Sequence, residues 1–287
     1  MNKTMDIPGY TINEVLHEGV DTVVYRAVNN QNKKSVVIKS LKDGTQGTRK
    51  AARFSREFEI LEKIDIEGVN KVREIVASGN IVMEDIGGIP LSNYARNTKI
   101  ELKEFLVIAI KLSEILSRLH AKNIMHKNIN PDNIIINPST GEIRLIDFGL
   151  SARVSHEHAT AGHPGALEGS LPYMSPEQTG RMNRTVDYRT DLYSLGITFY
   201  QLLANKLPFD SDDPMELVHC HITKKIPPIS TRRSGIPQVI CDIILKLTSK
   251  IAEERYQSAI GLKHDLEHCL RSLNETGTIS YFTIGHH

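Results

Sequence analysis

Apolar residues in the first third of the chain fall in short runs. Tyr10-Thr11-Ile12, Val23-Val24-Tyr25 and Ser35-Val36-Val37-Ile38 are β-branched or aromatic, and the turn-forming run Asn29-Asn30-Gln31-Asn32 separates the last two. Runs of this kind predict strands. The period then changes: Phe54, Phe58, Leu61 and Ile64 recur at helical spacing and predict a helix over residues 49–64. Two more strands are predicted at Arg73-Glu74-Ile75-Val76 and Asn80-Ile81-Val82-Met83, before Gly87-Gly88 breaks the pattern. Beyond Pro90 the helical period dominates. Leu102, Phe105, Leu106, Ala109, Leu112, Leu116 and Leu119 trace one face of a long helix. Further helices are predicted over 191–203, 214–221, 238–249 and 259–273. Strands first and helices afterwards predict an α+β fold in two lobes, residues 1–86 and 87–273. Residues 274–287 carry no clear pattern and read as a linker, with Gly285-His286-His287 as the start of a tag.

Composition narrows the partners. Apolar residues make up 40% of the chain and charged residues 24%, the balance of a soluble globular protein. The formal net charge of +1 argues against a nucleic-acid or membrane-surface binder. Cys220, Cys241 and Cys269 form no metal-binding or disulfide spacing, which suits a reducing cytoplasm. The first ten residues lack the apolar core of a signal peptide. No run approaches the roughly 18 apolar residues of a membrane span, since Lys111, Glu114 and Arg118 interrupt 105–119.

Several short motifs change the picture. His126-Lys127-Asn128-Ile129-Asn130-Pro131-Asp132-Asn133 is similar to a catalytic loop of the form H-R-D-x-x-x-x-N. Val36-Val37-Ile38-Lys39, Asp147-Phe148-Gly149 and Ser175-Pro176-Glu177 are similar to V-A-I-K, D-F-G and A-P-E, in the same order and spacing. Over residues 8–273 the set resembles the Hanks-type Ser/Thr protein kinase domain. The resemblance implies a bilobal fold, with a small β-rich N-lobe carrying helix C and a larger helical C-lobe. It implies ATP and Mg²⁺ as cofactors. Lys39 then reaches the α- and β-phosphates, positioned by Glu57, with Glu59 the alternative. Asn133 and Asp147 become the metal ligands, as hard oxygen donors suited to Mg²⁺. Met83 becomes the gatekeeper, the backbone of Glu84 and Ile86 contacts adenine, and Val24, Val37 and Ile135 sandwich the ring. Glu177 pairs with Arg255, and Asp191 holds the catalytic-loop backbone.

Four features depart from that family's pattern. Asn128 replaces the Asp that accepts the substrate hydroxyl's proton, a role worth about 10²–10⁴ in rate. Asn130 stands where a Lys steadies the γ-phosphate. Of the three glycines in the phosphate-covering loop only Gly19 remains, with His17 and Thr22 at the others and Asp21 adding a negative charge. Val37 carries two methyl groups more than the usual Ala. In the activation segment, 147–177, the stretch 156–165 is polar with three histidines, and Ser155 and Thr160 are candidate phosphosites. Lys127 lacks the fork with which Arg clasps a phosphate.

The stretch 179–191, the segment 216–222 and the Asn130-Pro131 pair narrow the resemblance to kinase-like domains at the head of bacterial hybrid sensor histidine kinases. That group generally carries Asp at the position of Asn128, so the resemblance and this departure from it together imply a pseudokinase that binds Mg-ATP and regulates an attached histidine kinase, with phosphotransfer lost or nearly so. A weakly or fully active Ser/Thr kinase and a nucleotide-free scaffold are the alternatives, and a homodimer is open.

Overall fold

A computed structural model describes residues 7–42, 49–76, 79–153, 168–182 and 184–286. The expected phosphosites Ser155 and Thr160 and the histidines at 156, 158 and 163 lie outside these residues.

The first lobe is one antiparallel sheet. Its strands are β1 (Tyr10–Glu18), β2 (Thr22–Asn29), β3 (Ser35–Leu41), β4 (Val72–Val76) and β5 (Asn80–Glu84), in the order β1-β2-β3-β5-β4. Successive residues of a strand point to opposite faces, so each strand feeds two environments. On one face Val23, Tyr25, Ala27, Val36, Ile38 and Val82 join Ile7 and Tyr10 in a small core. On the other face Val37 and Leu41 pack against Phe54, Ile81 and Met83. Lys39 lies between Val37 and Leu41 on that same face. It therefore points at helix α1 (Arg49–Glu62) instead of at solvent.

The second lobe is built on α3 (Leu102–Ala121), which follows the short α2 (Leu91–Asn97), and on α4 (Arg189–Ala204). Phe105, Leu106, Ala109, Leu112, Leu116 and Leu119 are all buried, as the apolar stripe predicts. Helices α5 (Pro214–Thr223), α6 (Gln238–Leu247) and α7 (Ala259–Thr276) complete the lobe. Gly196 lets α4 approach the end of α6 closely, since a Cβ there would lie 2.7 Å from Leu247 Cβ. The side chains of Glu177 and Arg255 pair in a bidentate fork at 2.7 and 2.8 Å, wholly inside the lobe.

Small strand pairs place the loops. β6 (Ile89–Pro90), β8 (Ile134–Ile136) and β9 (Ile143–Leu145) form one sheet, and β7 (Ile124–Met125) pairs with β10 (Ala152–Arg153). Ile134 sits opposite Leu145 in the β8–β9 pair, so Asn133 meets Ile146, whose N–H donates to the Asn133 carbonyl at 3.0 Å. Met125 sits opposite Ala152, so Ser151 Oγ donates to the His126 carbonyl at 3.2 Å. Pairing at both ends forces the 126–133 loop and the 146–151 turn to run side by side.

The tail departs from expectation. α7 runs on to Thr276, and the segment after it does not trail away. Ile279, Phe282 and Ile284 pack on the core, and Phe282 lies 4.3 Å from the His268 ring. The Gly285 N–H donates to the buried Asp265 carboxylate at 2.7 Å. Three apolar residues at irregular spacing carry no helix or strand period, so the sequence pattern does not announce this packing. No helix among the described residues is long and apolar enough to cross a membrane.

Candidate active site

Glu57 falls on the same face of α1 as Phe54, Phe58 and Leu61, at the three- and four-residue spacing of a buried stripe. A carboxylate there requires a partner. Lys39 supplies it at 2.5 Å, and the same ammonium lies 3.1 Å from Asp147. Glu59, the alternative partner, is exposed on another face. Burial opposes charge on all three groups. For Lys39 the two carboxylates outweigh burial and raise its pKa. For Asp147 the ammonium outweighs burial and holds the carboxyl below its usual range. For Glu57 burial dominates, and the carboxyl is pushed up despite Lys39.

The 126–133 loop is held from beneath. Asp191, on the first turn of α4 and fully buried, accepts from the N–H of His126 at 2.9 Å and of Lys127 at 2.7 Å. Lys127 adopts a left-handed φ of 66° to present that N–H, and Asp147 turns at φ 64°. Conformations of this kind persist in non-glycine residues only where surrounding contacts impose them. His126 Nε2 faces the Ile146 carbonyl at 2.9 Å, so Nε2 carries the proton and Nδ1 is free to accept the Asn128 N–H at 3.3 Å. Phe148 packs edge-on against the same ring at 4.7 Å.

The asparagines are wired to one another. Asn128 Oδ1 accepts from the Ser170 N–H at 3.1 Å and from Asn130 Nδ2 at 3.3 Å. The approach depends on Gly169, whose φ of 107° excludes most side chains and whose Cβ would lie 3.5 Å from that same oxygen. Asn133 Nδ2 donates to the Asn128 carbonyl at 2.9 Å, which leaves its Oδ1 without a partner among the described residues. Asn130 is not brought to the cleft. It is 2% exposed, its Oδ1 caps the 3₁₀ turn Pro131–Asn133, and its Nδ2 also reaches Ser170 Oγ at 3.2 Å. Asn130, expected among the catalytic residues at the position of the family's Lys, is thus placed as a cap of the loop and is not among the cleft walls.

Between the lobes lies an open cleft of about 320 Å³ whose walls include Asp21, Lys39, Arg53, Glu57, Asn128 and Asp147. The expected adenine residues Val24, Val37, Met83, Glu84, Ile86 and Ile135 are not among those walls. Val24 pairs with Lys39 and Val37 with Met83 in the sheet register, which puts Val24, Val37 and Met83 on the Lys39 face of the sheet, and Ile135 pairs with Arg144. The Glu84 N–H is bonded to the Lys71 carbonyl at 2.9 Å, and its carboxylate lies 2.6 Å from Arg73. The Ile86 carbonyl accepts from Asn137 Nδ2 at 2.6 Å. Gly19 is also off the cleft wall. Its N–H closes the turn onto the Thr22 carbonyl at 2.9 Å, and Val20, Asp21 and Thr22 form the wall. Two participants escaped the motifs. Arg53 stands one helical turn before Glu57, a spacing that marks it, and pairs with Glu168 at 2.7 Å. Ser170 carries no local signal, because its role depends on a fold contact 42 residues from Asn128.

A five-stranded lobe, a helical lobe and a lysine–glutamate–aspartate group in the cleft between them define a protein kinase domain. The protein kinase domain family model matches residues 10–268, and the chain belongs to that family. It is 32% identical over 262 residues to a probable serine/threonine-protein kinase of Clostridium acetobutylicum, covering 90% of this chain and 39% of that protein. A probable serine/threonine-protein kinase of Clostridium perfringens is 30% identical over 93% of this chain and 39% of its own length. A hybrid signal transduction histidine kinase of Dictyostelium discoideum is 30% identical over 62% of this chain and 7% of its own length. The chain thus spans about two fifths of the two clostridial relatives.

Proposed function

We propose that this domain is a pseudokinase that binds Mg-ATP and has lost, or nearly lost, phosphotransfer. The observation that carries this reading is the state of Asn128. A carboxamide accepts no proton at neutral pH, and here its one acceptor oxygen already receives two hydrogen bonds from the fold. The general-base contribution of about 10²–10⁴ is thereby missing, as is a cation at position 130.

Nucleotide binding is supported by what remains. Lys39 is held by Glu57 and Asp147 on the wall of the cleft. A magnesium ion suits the site. Asp147 and Asn133 Oδ1, the latter without a partner among the described residues, are hard oxygen donors, and this ion commonly takes one or two protein ligands and completes its shell with water and phosphate. When bound, it neutralises phosphate charge. The protein's own residues then orient: Lys39 faces the phosphates, Asn133 keeps its amide proton on the loop, and Asp191 holds the loop in place.

A thermal-shift titration checks binding. Millimolar Mg-ATP is expected to raise the melting midpoint, and no shift removes the nucleotide from the reading. Radiolabelled ATP with generic substrates checks catalysis. Asn128→Asp is expected to raise transfer by at least about 10²-fold. Transfer by the unaltered domain that disappears in Asp147→Ala would instead establish the second reading, a working kinase. The intact Lys39–Glu57 pair favours that second reading.

The regulatory role rests on kinship. The histidine kinase relative and the segments 179–191 and 216–222 support attachment to a histidine kinase within a longer protein. The test is histidine autophosphorylation in the full-length protein, which Lys39→Met is expected to change.

A further inference from the structure

The orientation of the Asn128 carboxamide is decided by its neighbours. The Ser170 donor is a backbone N–H, which cannot accept, so the atom 3.1 Å from it must be the oxygen. Asn130 Nδ2 reaches the same oxygen at 3.3 Å. The nitrogen of Asn128 is consequently turned away from both, and it has no partner among the described residues. Since Asn128 lines the cleft, the polar group it can offer there is a two-hydrogen donor without charge.

The surrounding charges give that donor a use. Lys39 is balanced by Glu57 and Asp147 at 2.5 and 3.1 Å. Arg53, on the same wall, is paired only with the half-exposed Glu168 among the described residues, at 2.7 Å. A carboxylate at 128 would add a third anion to the two, Glu57 and Asp147, that already share the one Lys39 ammonium, and would repel a polyphosphate. An amide removes that repulsion and supplies a hydrogen bond to an ionised oxygen.

Resting on the nucleotide reading above, we infer that Asn128 Nδ2 is a ligand for the terminal phosphate, so that the domain discriminates nucleoside triphosphate from diphosphate. The residue in the base position binds the group a base would help to transfer. This makes the cleft a sensor of triphosphate rather than a site of turnover.

The test is calorimetric titration of the whole domain, with Mg²⁺, using ADP and the non-hydrolysable imido analogue of ATP. The unaltered domain is expected to prefer the triphosphate. Asn128→Ala is expected to lower that preference about tenfold, the scale of a hydrogen bond to a charged group. Asn128→Asp is expected to lower it at least as far, with ADP affinity unchanged in both. The aspartate keeps an acceptor for Ser170 and Asn130, so its effect cannot be assigned to a broken loop. An unchanged preference in both variants overturns the inference and leaves nucleotide binding standing. Failure of either nucleotide to bind the unaltered domain overturns the nucleotide reading and this inference with it.

Discussion

At position 128 a carboxylate and a carboxamide differ by one atom, yet the surroundings treat them very differently. Ser170 N–H and Asn130 Nδ2 converge on Oδ1, so only the nitrogen remains to face a ligand. From the sequence, the loss of a proton acceptor at 128 was legible, because an amide has no basic site. That its carbonyl was also unavailable to steer a hydroxyl was not, because Ser170 arrives from 42 residues away. Asn130 carries the sharper lesson. Its place in the motif is that of a phosphate-steadying Lys, but burial makes it a cap for Asp132 N–H and Asn133 N–H. Asn130→Ala is therefore expected to cost about 0.5–2 kcal/mol in urea unfolding, the scale of a lost cap, with ADP affinity unchanged. A loss of ADP affinity at unchanged stability would restore it to the phosphate site.

Elements are joined at a few points of close contact. Gly196 is one: adding a methyl there drives it into Leu247 Cβ at 2.7 Å and Thr248 Cγ2 at 2.8 Å. Both neighbours sit at the end of a buried helix with no room to retreat. Gly196→Ala is expected to destabilise by about 1–3 kcal/mol, despite alanine's better helix propensity. A more stable variant would show that α4 and α6 can separate without loss. The Glu177–Arg255 fork is a second point, with side chains 4% and 0% exposed. Removing one partner leaves a buried charge, so Arg255→Met is expected to cost about 3–5 kcal/mol by chemical denaturation. The double variant Glu177→Leu/Arg255→Met should recover much of that loss. Helix and strand periods revealed these elements well, since each buries one face. They did not reveal the tail's packing, where Ile279, Phe282 and Ile284 bind the core without any regular repeat.

The molecule as a whole should weaken on the acid side. His221 is buried between Tyr193, whose hydroxyl lies 3.0 Å from Nδ1, and the second-lobe core. Burial, with Lys250 nearby, pulls its pKa down to about 4. An unfolded histidine titrates near 6.5, so between these values the unfolded chain binds more protons. Stability is then complete above about pH 6.5 and falls as pH drops toward 4, by at most about 1.4 kcal/mol per unit from this group. His126, buried with its pKa lowered, acts in the same direction. Melting midpoints measured between pH 4.5 and 7 are expected to fall less steeply in His221→Gln, and parallel slopes would remove His221 from the account. The two lobes, the strand-to-helix change near residue 88 and the motif positions Lys39, Asn128, Asn133 and Asp147 are legible in the chain alone. Periodicity and motif spacing are local, and local pattern is enough for that. Long-range contacts are what bring Glu57 and not Glu59 to Lys39, turn Asn130 inward and set Ser170 against the Asn128 amide. Those outcomes depend on which distant backbone arrives beside each side chain, and hydrogen bonds across the fold are written in no single stretch of chain.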